Sequence, residues 1–131
     1  MGVMPRVDFR TSLERGIDLF NDLRYFEAHE EWEDAWRLEK GDPAYFLHGL
    51  IQVAAGFVKL QRREPRGAAS LLRKGAAKLE RFLPGRCGVD LAALLGSIEE
   101  WIKITEQMTG SGTTDYDPAS LPRLGRGVPG E

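Results

Sequence analysis

The sequence DPAYFLHGLIQVAAGFVKL, at residues 42–60, decides the fold class. Asp42 followed by Pro43 is typical of a helix start, because a capping residue precedes a proline in the first turn. The apolar residues that follow fall on every side of a helix, and such a helix usually lies at the centre of a bundle. Four further segments have apolar residues at helical spacing, at about residues 12–23, 25–39, 65–83 and 90–109. We therefore predict an all-α, single-domain bundle of about five helices.

The two ends of the chain lack this periodicity. Residues 1–10 are predicted to form an N-terminal arm, and residues 11–109 the helical bundle domain. Residues 110–131 are predicted to form an irregular C-terminal tail, because they contain five Gly and three Pro and no helical stripe. This tail either is disordered or packs on the bundle through Tyr116, Leu121 and Leu124. Because it lacks a hydrophobic period, we expect a chain ending at Thr109 to melt only a few degrees lower, a loss of roughly 1 kcal/mol.

Composition limits the class of protein. A chain of 131 residues can bury enough apolar surface to fold as one domain without disulfides or metals. Eighteen Lys and Arg against 20 Asp and Glu give a net charge of −2, which excludes a strongly basic nucleic-acid binder. Cys87 is the single cysteine, so we predict no intramolecular disulfide and a reducing, cytoplasmic setting. The longest uncharged run, residues 43–58, is too short and too polar for a membrane span, so no membrane partner is predicted.

The most distinctive polar residues lie in the second predicted helix. His29 and Glu33 are four residues apart and share one helix face, where a carboxylate beside an imidazole can support general-base chemistry. The structural alternative is a half-buried histidine bonded to a carboxylate at the edge of an aromatic core. The aromatic residues that flank this pair are Tyr25, Trp32 and Trp36.

Two metal-binding motifs are incomplete in the sequence. A zinc peptidase motif that began at His29 would need a second histidine at position 33, which is Glu33. The Glu-x-x-His motif of di-iron bundles is missing as well, since neither Phe26 nor Tyr45, three residues before the two histidines, is a glutamate. The sequence therefore predicts no metal site and no cofactor.

Gln52 is the one strongly polar side chain in the middle of the third helix. If that helix is central, Gln52 is buried and needs hydrogen-bond partners. One interpretation is a polar floor to a small pocket between helices two and three, with His29 and Glu33 on the facing wall. The alternative is that Gly49 and Gly56 permit close helix packing while Gln52 bonds to helix two. Because a short link makes the two helices antiparallel, we predict that His29, Glu33 and Gln52 converge.

A basic segment at residues 59–86 contains nine Lys and Arg against two Glu. These bases are Lys59, Arg62, Arg63, Arg66, Arg73, Lys74, Lys78, Arg81 and Arg86. A basic helix face can bind phosphate, but no aromatic residues interleave these charges and no DNA-binding motif accompanies them. We interpret the segment as a solvated face that complements the acidic second helix, within the chain or in a homo-oligomer. No nucleic-acid partner is predicted.

Several spaced motifs combine over about residues 12–83: Phe20-Asn21, Phe26-Glu27-Ala28-His29-Glu30, Glu33, Trp36-Arg37, the stretch at 46–55 and Gly67-Ala68. Together they resemble the pattern of the domain of unknown function 309 family. Its members are small, all-helical, single-domain proteins of bacteria, archaea and plastid-bearing organisms, and no activity is established for them. The resemblance implies a set of polar positions of interest, namely Asn21, Glu27, His29, Glu30, Glu33 and Gln52.

Two functions agree with these features. The first is a binding module that takes a small ligand or a protein partner in a polar pocket between helices two and three. The alternative is a hydrolase-type enzyme that uses His29 with Glu30 or Glu33 in acid–base or metal-assisted chemistry. The sequence lacks a nucleophile with a paired base, a phosphate-cradling glycine loop and a complete set of metal ligands. It therefore favours the binding module.

Overall fold

The computed structural model describes residues 8–126, and five α-helices account for most of them. In chain order the helices are α1 (Phe9–Asn21), α2 (Tyr25–Trp36), α3 (Gly41–Gln61), α4 (Pro65–Leu79) and α5 (Leu91–Ser111). An antiparallel hairpin of two short strands, β1 (Gly85–Arg86) and β2 (Val89–Asp90), joins α4 to α5. Single turns of 3-10 helix lie at Glu80–Phe82 and Pro118–Ser120. The predicted all-α bundle is confirmed.

Helix α1 begins before its predicted start near residue 12. Its N-cap is Asp8, whose carboxylate accepts hydrogen bonds from the Thr11 N–H at 3.2 Å and from the Thr11 hydroxyl at 2.7 Å. The first of these satisfies an N–H group that has no partner inside the helix. Residues 8–10 of the predicted arm therefore belong to α1 and its cap, and residues 1–7 lie outside the described residues.

Helix α3 lies between α2 and α4, as its pattern predicts. The link before it is short because Gly41 has a φ of 64°, a left-handed conformation that glycine adopts without strain. Trp36, near the end of α2, contacts His48, while Phe26, near its start, lies under Arg62. Helices α2 and α3 therefore run antiparallel. Within residues 8–126 the helices are too short or too polar to cross a lipid bilayer.

Close contact between α3 and α4 depends on glycines in both helices. A Cβ atom added to Gly75 would lie 2.8 Å from the Gly49 carbonyl oxygen, so the two backbones nearly touch there. Leu79 and Leu72 of α4 fill the space beside Gly49 and Gly56, since an added Cβ would lie within 2.9 Å of them. These glycines do not leave an open pocket beside Gln52. The alternative of close helix packing is correct for them.

An aromatic cluster of Phe20, Tyr25, Trp32 and Phe57 forms the centre of the core between α1, α2 and α3. The Trp32 indole is fully buried and its Nε1 donates a hydrogen bond to the Leu13 carbonyl at 3.2 Å. Burial also raises the pKa of the Tyr25 phenol. Tyr25 and Trp32 are therefore core residues and do not flank an open site.

The C-terminal tail packs on the bundle as far as residue 126. Leu121 and Leu124 are only 3% exposed, and the Tyr116 ring meets the Trp101 ring edge-on at 5.8 Å. Asn21 holds the tail with two hydrogen bonds: its Nδ2 donates to the Leu124 carbonyl at 3.1 Å, and its Oδ1 accepts from the Leu124 N–H at 2.7 Å. Of the two alternatives for the tail, the structure has the one that packs on the bundle, and from this packing we expect a larger contribution to stability than the missing period predicts. It also assigns Asn21 a structural role.

Candidate functional site

One face of α3 stays open although the rest of the helix is buried. We define the α3 stripe as the residues of this face together with the C-cap residue, spaced three or four apart: Tyr45, His48, Gln52, Ala55, Lys59 and Arg62. Each of them is half-buried or exposed, while every other residue from Phe46 to Leu60 is buried. The predicted burial of Gln52 is therefore wrong, because Gln52 lies on the single open face of a central helix.

Helices α2 and α4 pack on either side of the α3 stripe, and we call the surface between them, over the stripe, the groove. From α2, the Trp36 ring stacks on the His48 ring with 5.1 Å between their centroids. From α4, the Lys78 Nζ donates a hydrogen bond of 3.0 Å to the Gln52 Oε1. The α2 residues that line the groove repeat the spacing of the α3 stripe: Phe26, His29, Glu33 and Trp36. Helical spacing on α2 and α3 thus places both histidines of the chain in one groove.

His29 and Glu33 lie side by side, as the i,i+4 spacing predicts. The His29 Nδ1 is 3.2 Å from the Glu33 Oε1. The Nδ1 atom is buried, and the carboxylate lies off the line along which the ring could form a hydrogen bond. We therefore treat the pair as an electrostatic contact and not as a directed hydrogen bond. Glu33 is shared, since the Arg37 guanidinium approaches its other oxygen at 3.9 Å.

Gln52 bonds to α4 rather than to α2. Its amide oxygen accepts from Lys78, and among residues 8–126 no hydrogen bond joins Gln52 to His29 or Glu33. The three residues that were predicted to converge share a groove but not one hydrogen-bonded cluster. Of the other predicted polar positions, Glu27 pairs with Arg24 at 2.8 Å on the surface, and Glu30 is exposed.

His48 and Lys78 also belong to the groove, although the sequence pattern does not single them out. Burial lowers the pKa of His48 below its usual 6.5, the Lys78 charge lowers it further, and the Glu33 carboxylate acts in the opposite direction. Lys78 belongs to the basic segment that is predicted to be a solvated face, yet it is half-buried and its Nζ lies 5.8 Å from the centre of the Tyr45 ring. The four-residue spacing between His48 and Gln52 indicates that the two side chains share one face of α3, and this was the sequence feature that could have identified His48. No local pattern shows that Lys78 points inward.

A small pocket occupies the end of the groove near Arg62. Its volume is about 150 Å³. Residues of three helices line it: Phe26 and His29 of α2, Ala55, Val58, Lys59 and Arg62 on and beside the α3 stripe, and Leu71 of α4. The pocket combines apolar walls with two cationic side chains and one imidazole, a mixture typical of small-molecule sites.

Replacing Lys78 by Met is expected to raise the pKa of His48. The substitution removes a positive charge that disfavours the protonated imidazole, while it keeps most of the side-chain volume. Glu33→Gln should shift the pKa of His48 in the opposite direction. Histidine resonances followed by NMR between pH 4 and pH 8 (roughly two units either side of the His reference pKa) measure both shifts.

Lys103→Met is the matched control, because Lys103 is exposed on α5. It should leave the His48 titration unchanged. The lowered pKa means that the folded protein favours the neutral His48 ring. The stability that the neutral ring contributes to the folded protein is therefore present above pH 6.5 and is lost as the pH falls through the pKa of His48 in the folded state. A His48 titration that is the same in Lys78→Met and in wild type would contradict the shared electrostatic environment.

Comparison with known proteins gives one family match. The model of a family described as "Domain of unknown function (DUF309)" matches residues 13–71. The matched segment contains α2, α3 and the pocket lining from Phe26 to Leu71, but not α5, the tail or Lys78. A search of curated proteins finds no match to this chain.

Proposed function

We propose that this chain, whose residues 13–71 belong to the domain of unknown function 309 family, is a cytoplasmic binding module that holds a small ligand over α3. The description of the family names no activity, so the proposal is argued from the groove itself. The α3 stripe carries this proposal. A central helix that is buried on every other side presents one open face, and α2 and α4 pack on either side of that face. The free Cys87 agrees with a reducing compartment.

The side chains of the groove are held before any ligand arrives. His48 is stacked on Trp36, and Gln52 is bonded to Lys78. Side chains positioned on helices lose little further freedom when a ligand binds, so more of the contact energy appears as affinity. Aromatic faces and a few polar groups in a concave surface are the usual composition of a ligand site.

The geometry supports binding better than hydrolysis. His29 and Glu33 provide an imidazole and a carboxylate, but no Ser, Thr or Cys belongs to the α3 stripe or to the pocket lining. A nucleophilic mechanism needs such a group within hydrogen-bond reach of the base. Within residues 8–126, no three His, Cys, Asp or Glu side chains come together as metal ligands. Apart from His29 and its neighbouring carboxylates, the α3 stripe and the pocket lining therefore supply no residue that supports the hydrolase alternative.

A fragment library screened by NMR against the ¹⁵N-labelled protein tests the proposal. The chain has two histidines, His29 and His48, and each reports on one end of the groove. We expect some fragments to shift these imidazole signals in a saturable way, with Kd values of about 1 mM or tighter, as is usual for small ligands.

Two alanines provide a matched pair of variants for this screen. Ala55→Phe places a ring on the floor of the pocket and should abolish the shifts at His29. Ala93→Phe makes the same change at an exposed position of α5 and should retain them. A library that shifts neither histidine, or shifts that persist in Ala55→Phe, would contradict ligand binding in the groove.

A further inference from the structure

We infer that the pocket at the Arg62 end of the groove binds an aromatic monocarboxylate, with its ring against Ala55, Val58 and Leu71 and its carboxylate on Arg62 and Lys59. This inference rests on the proposed function and names the chemical class of its ligand.

The size of the pocket matches one aromatic ring. Its volume is about 150 Å³. An apolar cavity of about 150 Å³ in another protein is known to hold benzene, so a six-membered ring is the natural scale of the occupant. Ala55 keeps the floor open, because any larger side chain at this position of the α3 stripe would enter the space. Val58 and Leu71 supply aliphatic walls on either side.

An exposed aromatic side chain stands at the mouth of the pocket. Phe26 is 46% exposed, whereas Tyr25 and Trp32 of the same helix are fully buried. The Phe26 ring is stacked with the His29 ring, with centroids 6.1 Å apart. Both rings line the pocket, and an aromatic ligand can pack against them in the offset or edge-on geometries that such rings prefer.

Lys59 of α3 and Arg62, the residue that follows the helix, define the charge of the ligand. The Arg62 guanidinium lies 5.9 Å above the Phe26 ring and forms no ion pair within residues 8–126. A guanidinium can grip a carboxylate with two parallel hydrogen bonds. Lys59 lies beside it, with its Nζ 3.6 Å from Glu64. The pocket therefore contains one cation without an acidic partner, Arg62, and one whose charge is partly neutralised by Glu64, Lys59.

The neighbouring acids limit the ligand to a single negative charge. Glu33 contacts His29 and Glu64 contacts Lys59, so Arg62 is the cation of the lining that has no acidic partner among residues 8–126. A singly charged carboxylate matches that one charge, whereas a phosphate monoester would bring a second negative charge without a partner.

Three probes separate the contributions of ring and charge. Benzoate has both, benzyl alcohol has the ring without the charge, and acetate has the charge without the ring. We expect benzoate to shift the His29 imidazole signal saturably and to bind at least about tenfold more tightly than either other probe, since ring burial and the ion pair each contribute at least that factor.

Two adjacent arginines supply the matched variants. Arg62→Gln should weaken benzoate about tenfold and leave benzyl alcohol unchanged, because it removes only the charged contact. Arg63→Gln is the control: Arg63 is exposed, and its guanidinium is 3.4 Å from Asp115 of the tail. It should change neither affinity. Ala55→Phe should abolish the binding of both ring-containing probes.

Each other outcome overturns a defined part of the inference. Benzoate that binds equally well to Arg62→Gln, or acetate that binds as tightly as benzoate, overturns the aromatic monocarboxylate. If benzoate leaves His29 unshifted while other library fragments bind the groove, the ligand class is wrong and the binding module stands. If no compound binds, both proposals fail.

Discussion

A chain that ends at Ser111 is expected to melt about 15 °C or more below the full chain, or not to fold. The tail buries Leu121 and Leu124, and loss of one buried leucine side chain costs about 2–5 kcal/mol. Removing both, together with the contact of Tyr116 on Trp101, should cost about 5 kcal/mol or more. That is a large share of the stability of an ordinary domain, about 5–15 kcal/mol. A domain of this size loses roughly 3–5 °C per kcal/mol.

Point variants test the same contact if the shortened chain does not fold. Leu121→Ala should cost about 3 kcal/mol. Leu38→Ala is the matched control, because Leu38 is 61% exposed, and it should change stability by less than about 0.5 kcal/mol. Asn21→Leu should also destabilise the protein, since it leaves the Leu124 backbone groups without their partner. Circular dichroism melts measure all four proteins. A shortened chain that melts within a few degrees of the full chain would show that the tail is dispensable.

Gly16→Ala is expected to destabilise the protein by about 3 kcal/mol, through overpacking in the core. A Cβ atom on Gly16 would overlap the Nε1 and Cε2 atoms of Trp32. The indole has no space to move into, because it is fully buried and its Nε1 is bonded to the Leu13 carbonyl. Either α1 moves away from α2 or the buried hydrogen bond breaks. The thermal midpoint should fall by about 10 °C.

Gly96→Ala is the matched control for Gly16→Ala and should have the opposite sign. Gly96 lies in the interior of α5, and an added Cβ would meet no atom within 4 Å. Alanine in an open helix position is more stable than glycine by about 0.5–1 kcal/mol, because the unfolded chain has less conformational freedom to lose. Equal effects of the two substitutions in melting experiments would contradict the close approach of α1 to Trp32.

The candidate site was predictable where it depends on spacing within one helix. The contact of His29 with Glu33 follows from a separation of four residues. The sharing of one groove by His29 and Gln52 follows from a short link between two helices. The partner of Gln52 was not predictable. It is Lys78, 26 residues away in a helix whose rotation about its own axis depends on how Gly75 meets Gly49.

The sequence by itself determined the number of helices, the central place of α3 and the pairing of His29 with Glu33. These features follow from the 3.6-residue period of the helix, because that period alone decides which residues of a segment share a face. Only the tertiary structure decided that the tail is part of the core. Leu121 and Leu124 have no period of their own, and they are buried in the core formed by residues far away in the sequence; Asn21, 103 residues before Leu124, bonds to the Leu124 backbone. Such contacts depend on how whole helices and segments pack, and no local pattern of side chains records that arrangement.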